Sequence, residues 1–287
     1  MSADGNGTGT TPRHDAVPIE TLRTERFSMR YFRFGRGDRT MVILPGLSVQ
    51  SVMDAAPAVA AAYECMAADF TVYVFDRREE LPEVYTIADM ARDTAAAMQA
   101  VGLKDVCLFG ASQGGMIAQV LAIEHPTLVR AMVLGSTSPN VQPEQFAALE
   151  QWIDMARKRD GVGLYLSFGR LLYPPALFEQ YRPALIAAGQ AAKSEDLDRF
   201  MILAAGTRDF NVVDRLPEIR CPVLAIGVFE DAVVDSDATM QIAEKLDYRP
   251  DFRLYMYIGY GHAAYDTAPD YRDRMLRFFR EQEGERT

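Results

Sequence analysis

Several residue types that carry much of protein chemistry are scarce in this chain. Its 287 residues include three cysteines (Cys65, Cys107, Cys221), three histidines (His14, His125, His262) and a single tryptophan, Trp152. Three widely spaced cysteines cannot form a disulfide framework, so reduced, mostly buried thiols and a cytoplasmic setting are expected. No Cys or His spacing suits a metal, and neither a metal nor a cofactor is expected. Long apolar runs are absent, which excludes a bilayer-spanning helix. Basic charge is in deficit: 30 Lys and Arg against 40 Asp and Glu give a net charge of −10. Nucleic acid and anionic membrane surfaces, which need a basic face, are therefore poor partners. A small-molecule substrate is the expected partner, and a homodimer is compatible with the reading. The first fifteen residues, rich in Gly, Thr and Asp, lack the apolar segment of a signal peptide, and 1–18 reads as a disordered tail.

What is present is an alternation of short apolar runs with helical patterns. Residues 27–34 are aromatic-rich and partly alternating, as in an early antiparallel strand. Thr40-Met41-Val42-Ile43-Leu44 and Thr71-Val72-Tyr73-Val74-Phe75 are apolar throughout, as strands buried on both faces are. Between them, 51–67 is Ala-rich and reads as helical with an interruption near Pro57. Thr86 and Asp89 form a near capping box for a helix whose apolar face runs Ile87, Met90, Ala91, Thr94, Ala97, Met98 and Val101, closed by Gly102. Strand patterns recur at 106–109, 130–134, 222–229 and 252–258, and an amphipathic helix closes the chain at 269–280. This alternation predicts a parallel sheet with helices on both faces. It lapses from 137 to 216, where only helical segments are found (143–158, 163–172, 175–190 and 194–205), so a helical cap is expected there. The expected division is a tail at 1–18, a core made of 19–136 and 217–287, and a cap at 137–216.

The stretch Phe109-Gly110-Ala111-Ser112-Gln113-Gly114-Gly115 lies between the buried strand 106–109 and the helical run from Met116. G-x-S-x-G between strand and helix is the nucleophile-elbow pattern. Side chains at Gly110 and Gly114 would collide with backbone in so tight a turn, and the turn lifts the Ser112 hydroxyl clear of the sheet. It also sets the Gln113 N–H at a helix N-terminus, where a developing anion is favoured. By itself the motif also fits an ordinary glycine-containing loop with a capping serine. The rest of the chain has to supply a base, an acid and a second donor.

Taken together, Val42-Ile43-Leu44-Pro45-Gly46, Phe75-Asp76-Arg77, the elbow, His125-Pro126, Asp231-Ala232-Val233-Val234 and Gly261-His262 resemble the α/β-hydrolase family over roughly 27–279. The resemblance implies an α/β-hydrolase fold with an inserted helical cap. It also implies a triad in the order Ser, acid, His along the chain. His14 lies in the tail and His125 at a helix end, so His262 is the expected base. Glu230, Asp231, Asp235 and Asp237 all follow the penultimate strand. Asp231 has the family's D-x-V-V spacing, whereas Asp235 or Ser236 suits a helix cap. Val228, Ala232 and Asp235 depart from the usual Gly and Pro of that loop. The second oxyanion donor is expected at the N–H of Leu47, after Pro45-Gly46, where relatives often carry His-Gly.

The resemblance further implies acyl transfer. Ser112 attacks, His262 takes its proton, Asp231 holds the imidazole, and the N–H groups of Leu47 and Gln113 receive the oxyanion. Gly46, Met116, Trp152, Phe168 and Leu172 are candidate pocket residues. Tyr165, Leu171 and Met201 are further cap candidates, although apolar residues at helical spacing usually pack within their own element. The stretch 204–219 resembles the cap exit of enol-lactonases and related small-ester hydrolases. The expected substrate is a small, largely apolar carboxylic ester or lactone. The same residues would serve C–C bond hydrolysis of a diketone, perhydrolase or acyltransferase chemistry, or a non-catalytic ligand receptor of the same fold.

Overall fold

The computed structural model describes residues 17–282. The tail expected at 1–18 therefore lies outside the described residues, apart from its last two. Of these, Val17 is half-buried and packs on the core.

Eight strands form one sheet: β1 (Ile19–Arg23), β2 (Ser28–Phe34), β3 (Arg39–Leu44), β4 (Phe70–Arg78), β5 (Val106–Ala111), β6 (Val129–Gly135), β7 (Val223–Val228) and β8 (Phe252–Tyr257). Their spatial order is β1-β2-β4-β3-β5-β6-β7-β8. β1 and β2 are antiparallel to their neighbours, and every pairing from β4 to β8 is parallel. The edge strand β1 has no counterpart in the sequence expectations, because its five residues carry no continuous apolar run.

The side-chain alternation of the central strand sorts the core into two layers. From β5, Val106 and Leu108 face one layer and Cys107, Phe109 and Ala111 the other. The first layer is covered by α2 (Ile87–Ala100), α3 (Gln113–Glu124) and α8 (Ser236–Leu246). The second is covered by α1 (Ala56–Ala62) and by α10 (Tyr271–Glu281), preceded by the short α9 (Ala264–Thr267). α2 begins with the capping box foreseen at Thr86 and Asp89. Gly102, at φ 77°, lies just past its end. Pro57 does not interrupt α1 as expected. It sits in the helix's first turn, where its missing N–H costs nothing. Cys107 and Cys221 are buried, but Cys65 is exposed, against the expectation for a buried thiol.

Four helices intervene between β6 and β7: α4 (Pro143–Arg157), α5 (Gly161–Leu172), α6 (Pro175–Ala191) and α7 (Ser194–Ala205). They lie over the C-terminal ends of the parallel strands and carry their own apolar cluster around Trp152, Leu164 and Phe200. Trp152 is 2% exposed, meets Phe168 edge-on with ring centroids 4.7 Å apart, and donates its indole N–H to Ser167 Oγ at 3.0 Å. Both the apolar face and the polar tip of the ring are thus satisfied. Among the described residues, no helix is long and apolar enough to cross a membrane.

Candidate active site

β5 runs straight into the turn. Ser112 adopts φ 51° and ψ −120°, a conformation that L-residues hold only when their surroundings impose it. Those surroundings are visible. The Ser112 N–H donates to Gly135 O at 2.8 Å, and Thr137 Oγ1 donates to Ser112 O at 2.7 Å, so β6 and the residues after it brace the turn. A Cβ on Gly110 would stand 2.5 Å from Gly114 O, and one on Gly114 would collide with the carbonyl of Leu44. The two glycines therefore let helix α3 start against both β5 and β3. Gly46 serves a different need. A Cβ there would lie 3.3 Å from Ser112 Cβ and 3.9 Å from its Oγ, in the space before the hydroxyl.

His262 follows β8 and is 1% exposed. Its loop is tied to the cap, where Ala263 N–H donates to Leu172 O at 3.1 Å. Its Nδ1 lies 2.9 and 2.8 Å from the two carboxylate oxygens of Asp231, which follows β7. Asp231 Oδ1 also accepts the N–H groups of Val233 at 2.8 Å and Val234 at 3.0 Å. Burial alone would raise this carboxyl's pKa. The attraction and hydrogen bond of His262, with the two backbone donors, outweigh burial and hold it below its ordinary value. The neighbouring acids are engaged elsewhere: Glu230 accepts Gly259 N–H at 2.8 Å, and Asp235 caps α8.

Ser112 and His262 line one cavity of about 50 Å³ beneath the cap. Leu47, Gln113, Gly46, Met116, Trp152, Phe168 and Leu172 line it too, and Asp231 stands behind His262. Gln113 is the first residue of α3, and first-turn N–H groups have no acceptor within their own helix. Tyr165 lines a neighbouring chamber instead, while Leu171 and Met201 pack against the cap's apolar cluster. Gln145, Val233 and Tyr265 also line the cavity and were not among the sequence candidates. Val233 lies in the D-x-V-V stretch after β7 and Tyr265 three residues after His262, so closeness to the candidate acid and base was the available signal; Gln145, on α4, carries none.

One group beneath the cavity was quoted from the sequence without a role. Arg77, at the end of β4, is 4% exposed. Its guanidinium donates to Pro45 O at 2.8 Å and to Gln113 Oε1 at 3.3 Å, joining the two turns that carry Leu47 and the Gln113 N–H. Burial lowers its pKa to about 10, although the Asp76 carboxylate pulls the other way. Gln113 Nε2 in turn donates to Leu203 O on α7 at 2.8 Å. Arg199, also on α7, reaches Asp76 at 2.5 Å. A buried Asp-Arg pair at a strand end was the available sign that this corner is wired to something above it. Among the described residues, no cluster of three or more His, Cys, Asp or Glu side chains is arranged to hold a metal.

These features sit at the carboxyl edge of a mostly parallel sheet, on loops following β3, β5, β7 and β8. The family model described as alpha/beta hydrolase fold matches residues 39–269, and the chain belongs to that family. Among curated proteins it is similar to the provisionally named carbamate hydrolase RutD. The Azorhizobium caulinodans protein is 30% identical over 206 residues, which is 68% of this chain and 73% of the relative. The Rhizobium rhizogenes protein is 25% identical over 227 residues, 76% and 85% of the two chains. Among solved structures, MGS-M2, an alpha/beta hydrolase enzyme from a deep-sea metagenome of the Medee basin, superposes with a TM-score of 0.81. The two are 20% identical, over 93% of this chain and 98% of that one. The enol-lactonase of Burkholderia xenovorans LB400 superposes at 0.78 with 15% identity, over 91% and 100%. At these identities the structural likenesses speak for the fold.

Proposed function

We propose that this protein is a serine hydrolase that cleaves a small carboxylic ester or lactone through an acyl-enzyme on Ser112. The observation that carries the reading is one arrangement. A serine on a strained turn shares a small cavity with a histidine whose Nδ1 is held 2.8 Å from a buried carboxylate. In this reading His262 takes the Ser112 proton as Oγ attacks the acyl carbon. Asp231 keeps the Nδ1–H tautomer and stabilises the imidazolium. The N–H groups of Leu47 and Gln113 receive the oxyanion, each such donor typically contributing about 3–4 kcal/mol. His262 then protonates the leaving oxygen, and water activated by the same imidazole cleaves the acyl-enzyme.

The cavity's 50 Å³ is room for about four water molecules, which suits a short acyl group. A carbamoyl carbon, suggested by the names of the RutD relatives, is of that size and is attacked by the same machinery. Hydrolysis of p-nitrophenyl acetate by purified protein tests the proposal. Turnover, lost by at least a thousandfold in Ser112→Ala, is expected. Equal rates in the two proteins would overturn it.

A further inference from the structure

The loop that follows β3 carries Leu47 and is held at both ends by residues of β4. At its start, Pro45 O accepts the Arg77 guanidinium at 2.8 Å. At its far end, Ser51 Oγ donates to Asp76 Oδ2 at 2.5 Å. Both Asp76 and Arg77 are buried. The other carboxylate oxygen of Asp76 accepts the Arg77 N–H at 2.7 Å and the Arg199 guanidinium at 2.5 Å. Arg199 comes from the cap. It precedes Leu203 by four residues on α7, and residues four apart share a helix face. Leu203 O takes the Gln113 side chain because Thr207, its partner four residues on, donates to Ala204 O instead. One face of α7 thus meets the supports of both proposed oxyanion turns.

Charge explains the second arginine. Asp76 is one carboxylate beside two guanidinium groups. Arg199 pairs with it directly, while Arg77 gives its side-chain hydrogen bonds to neutral oxygens, Pro45 O and Gln113 Oε1. Asp76 nonetheless attracts the Arg77 guanidinium, and Arg199 repels it. Without Arg199, a buried carboxylate is left with no side-chain cation in contact, which is strongly unfavourable. Arg77, one residue along, is then the cation at hand. Turning onto Asp76 takes it off Pro45 and Gln113.

Resting on the reading of Ser112 as nucleophile and of the Leu47 and Gln113 N–H groups as oxyanion donors, we propose that Arg199 is a positioning residue. By engaging Asp76 from the cap, it keeps Arg77 on the two turns that carry those donors. The donors matter most where the oxyanion forms, so loss of Arg199 acts on kcat more than on KM.

Steady-state kinetics of the full chain with p-nitrophenyl acetate test this, with Trp152 fluorescence reporting on the cap. Trp152 is the single tryptophan and shares an apolar cluster with Leu197 and Phe200 of α7. Arg199→Met is expected to lower kcat at least tenfold, with KM changed by no more than threefold and Trp152 emission unchanged. Arg199→Lys keeps a cation for Asp76 and should retain at least a third of the parental kcat. The double variant Asp76→Asn/Arg199→Met separates the mechanism from mere support of the cap. Its amide keeps an oxygen to accept a hydrogen bond, but no charge draws Arg77 away, so kcat should return to within threefold of the parent. Support of the cap alone predicts no recovery. Arg199→Met with kcat within twofold of the parent, a red shift of Trp152 emission accompanying the loss, or a double variant as slow as the single one would each overturn the proposal. If Arg199→Met does not fold, the double variant decides alone: kcat within threefold of the parent supports the proposal, and a larger loss overturns it. If Ser112→Ala is inactive while Arg199→Met is unimpaired, the hydrolase reading stands and this one falls. If Ser112→Ala matches the parent, both fall.

Discussion

Arg77→Met separates a catalytic contribution from a structural one at the corner beneath the cavity. The guanidinium is buried and its pKa falls from the ordinary arginine range to about 10. Because the folded value lies below the unfolded one, carrying the cation costs the folded state about 3 kcal/mol at neutral pH. Methionine removes that cost and fills much of the same volume. It also strips Pro45 O and Gln113 Oε1 of their shared donor, at about 1–3 kcal/mol for each buried acceptor left without a partner. The opposing contributions nearly cancel, so the melting temperature is expected to shift by no more than about 5 °C. Activity has no such compensation. Both proposed oxyanion turns lose their common tie, and displacing a single donor costs about 10²–10³ in kcat. The expected result is a fall in kcat of about a hundredfold with KM changed by no more than about threefold. Steady-state kinetics with p-nitrophenyl acetate and thermal unfolding read the two effects. Since Arg77 would act through Gln113 and Pro45, adding Gln113→Met should cost much less than the product of the two single losses. A folded Arg77→Met protein with kcat within twofold of the parent would refute the reasoning. So would a loss of stability large enough to account for the lost activity.

Other outcomes follow from the same geometry. Asp231→Asn should lower kcat by about 10⁴ through the wrong imidazole tautomer, with Asp235→Asn near the parent; the reverse ranking would move the acid to Asp235. Asp231 titrates below its ordinary 3.8 in the folded protein, so the stability it adds is full above about pH 4 and is lost as pH falls through the lower folded value. Acid unfolding of Asp231→Asn should lack that part of the pH dependence, and an identical acid limb in both proteins would contradict the assignment. In Gly46→Ala the new methyl occupies the space before Ser112, so kcat/KM should drop at least tenfold while thermal unfolding hardly changes.

Much of the sheet and all four helices α4 to α7 were legible because their signals are local. Buried parallel strands are short apolar runs, and the helices begin and end within two residues of where proline, glycine and apolar spacing put them. The edge strand β1 and the single-turn α9 carry too few residues for a pattern, and their form depends on neighbours. The elbow was legible for the same local reason, since its glycines answer crowding within a few residues of Ser112.

Sequence alone determined the order of strand and helix, the strained turn at Ser112, and the fact that one histidine follows the last strand. It offered four acids after β7 and favoured Asp231 by its D-x-V-V spacing alone. Only the folded chain gave Asp231, Glu230 and Asp235 their partners. β7 and β8 lie side by side in register, which brings Asp231 within 2.8 Å of a histidine 31 residues away, while Glu230 and Asp235 turn to other partners. The tertiary structure likewise decided that Arg77 lies between two turns and that a small cavity adjoins a large one. Contacts between residues remote in sequence and volumes enclosed by several elements have no local signature, because both arise only when the layers close on one another.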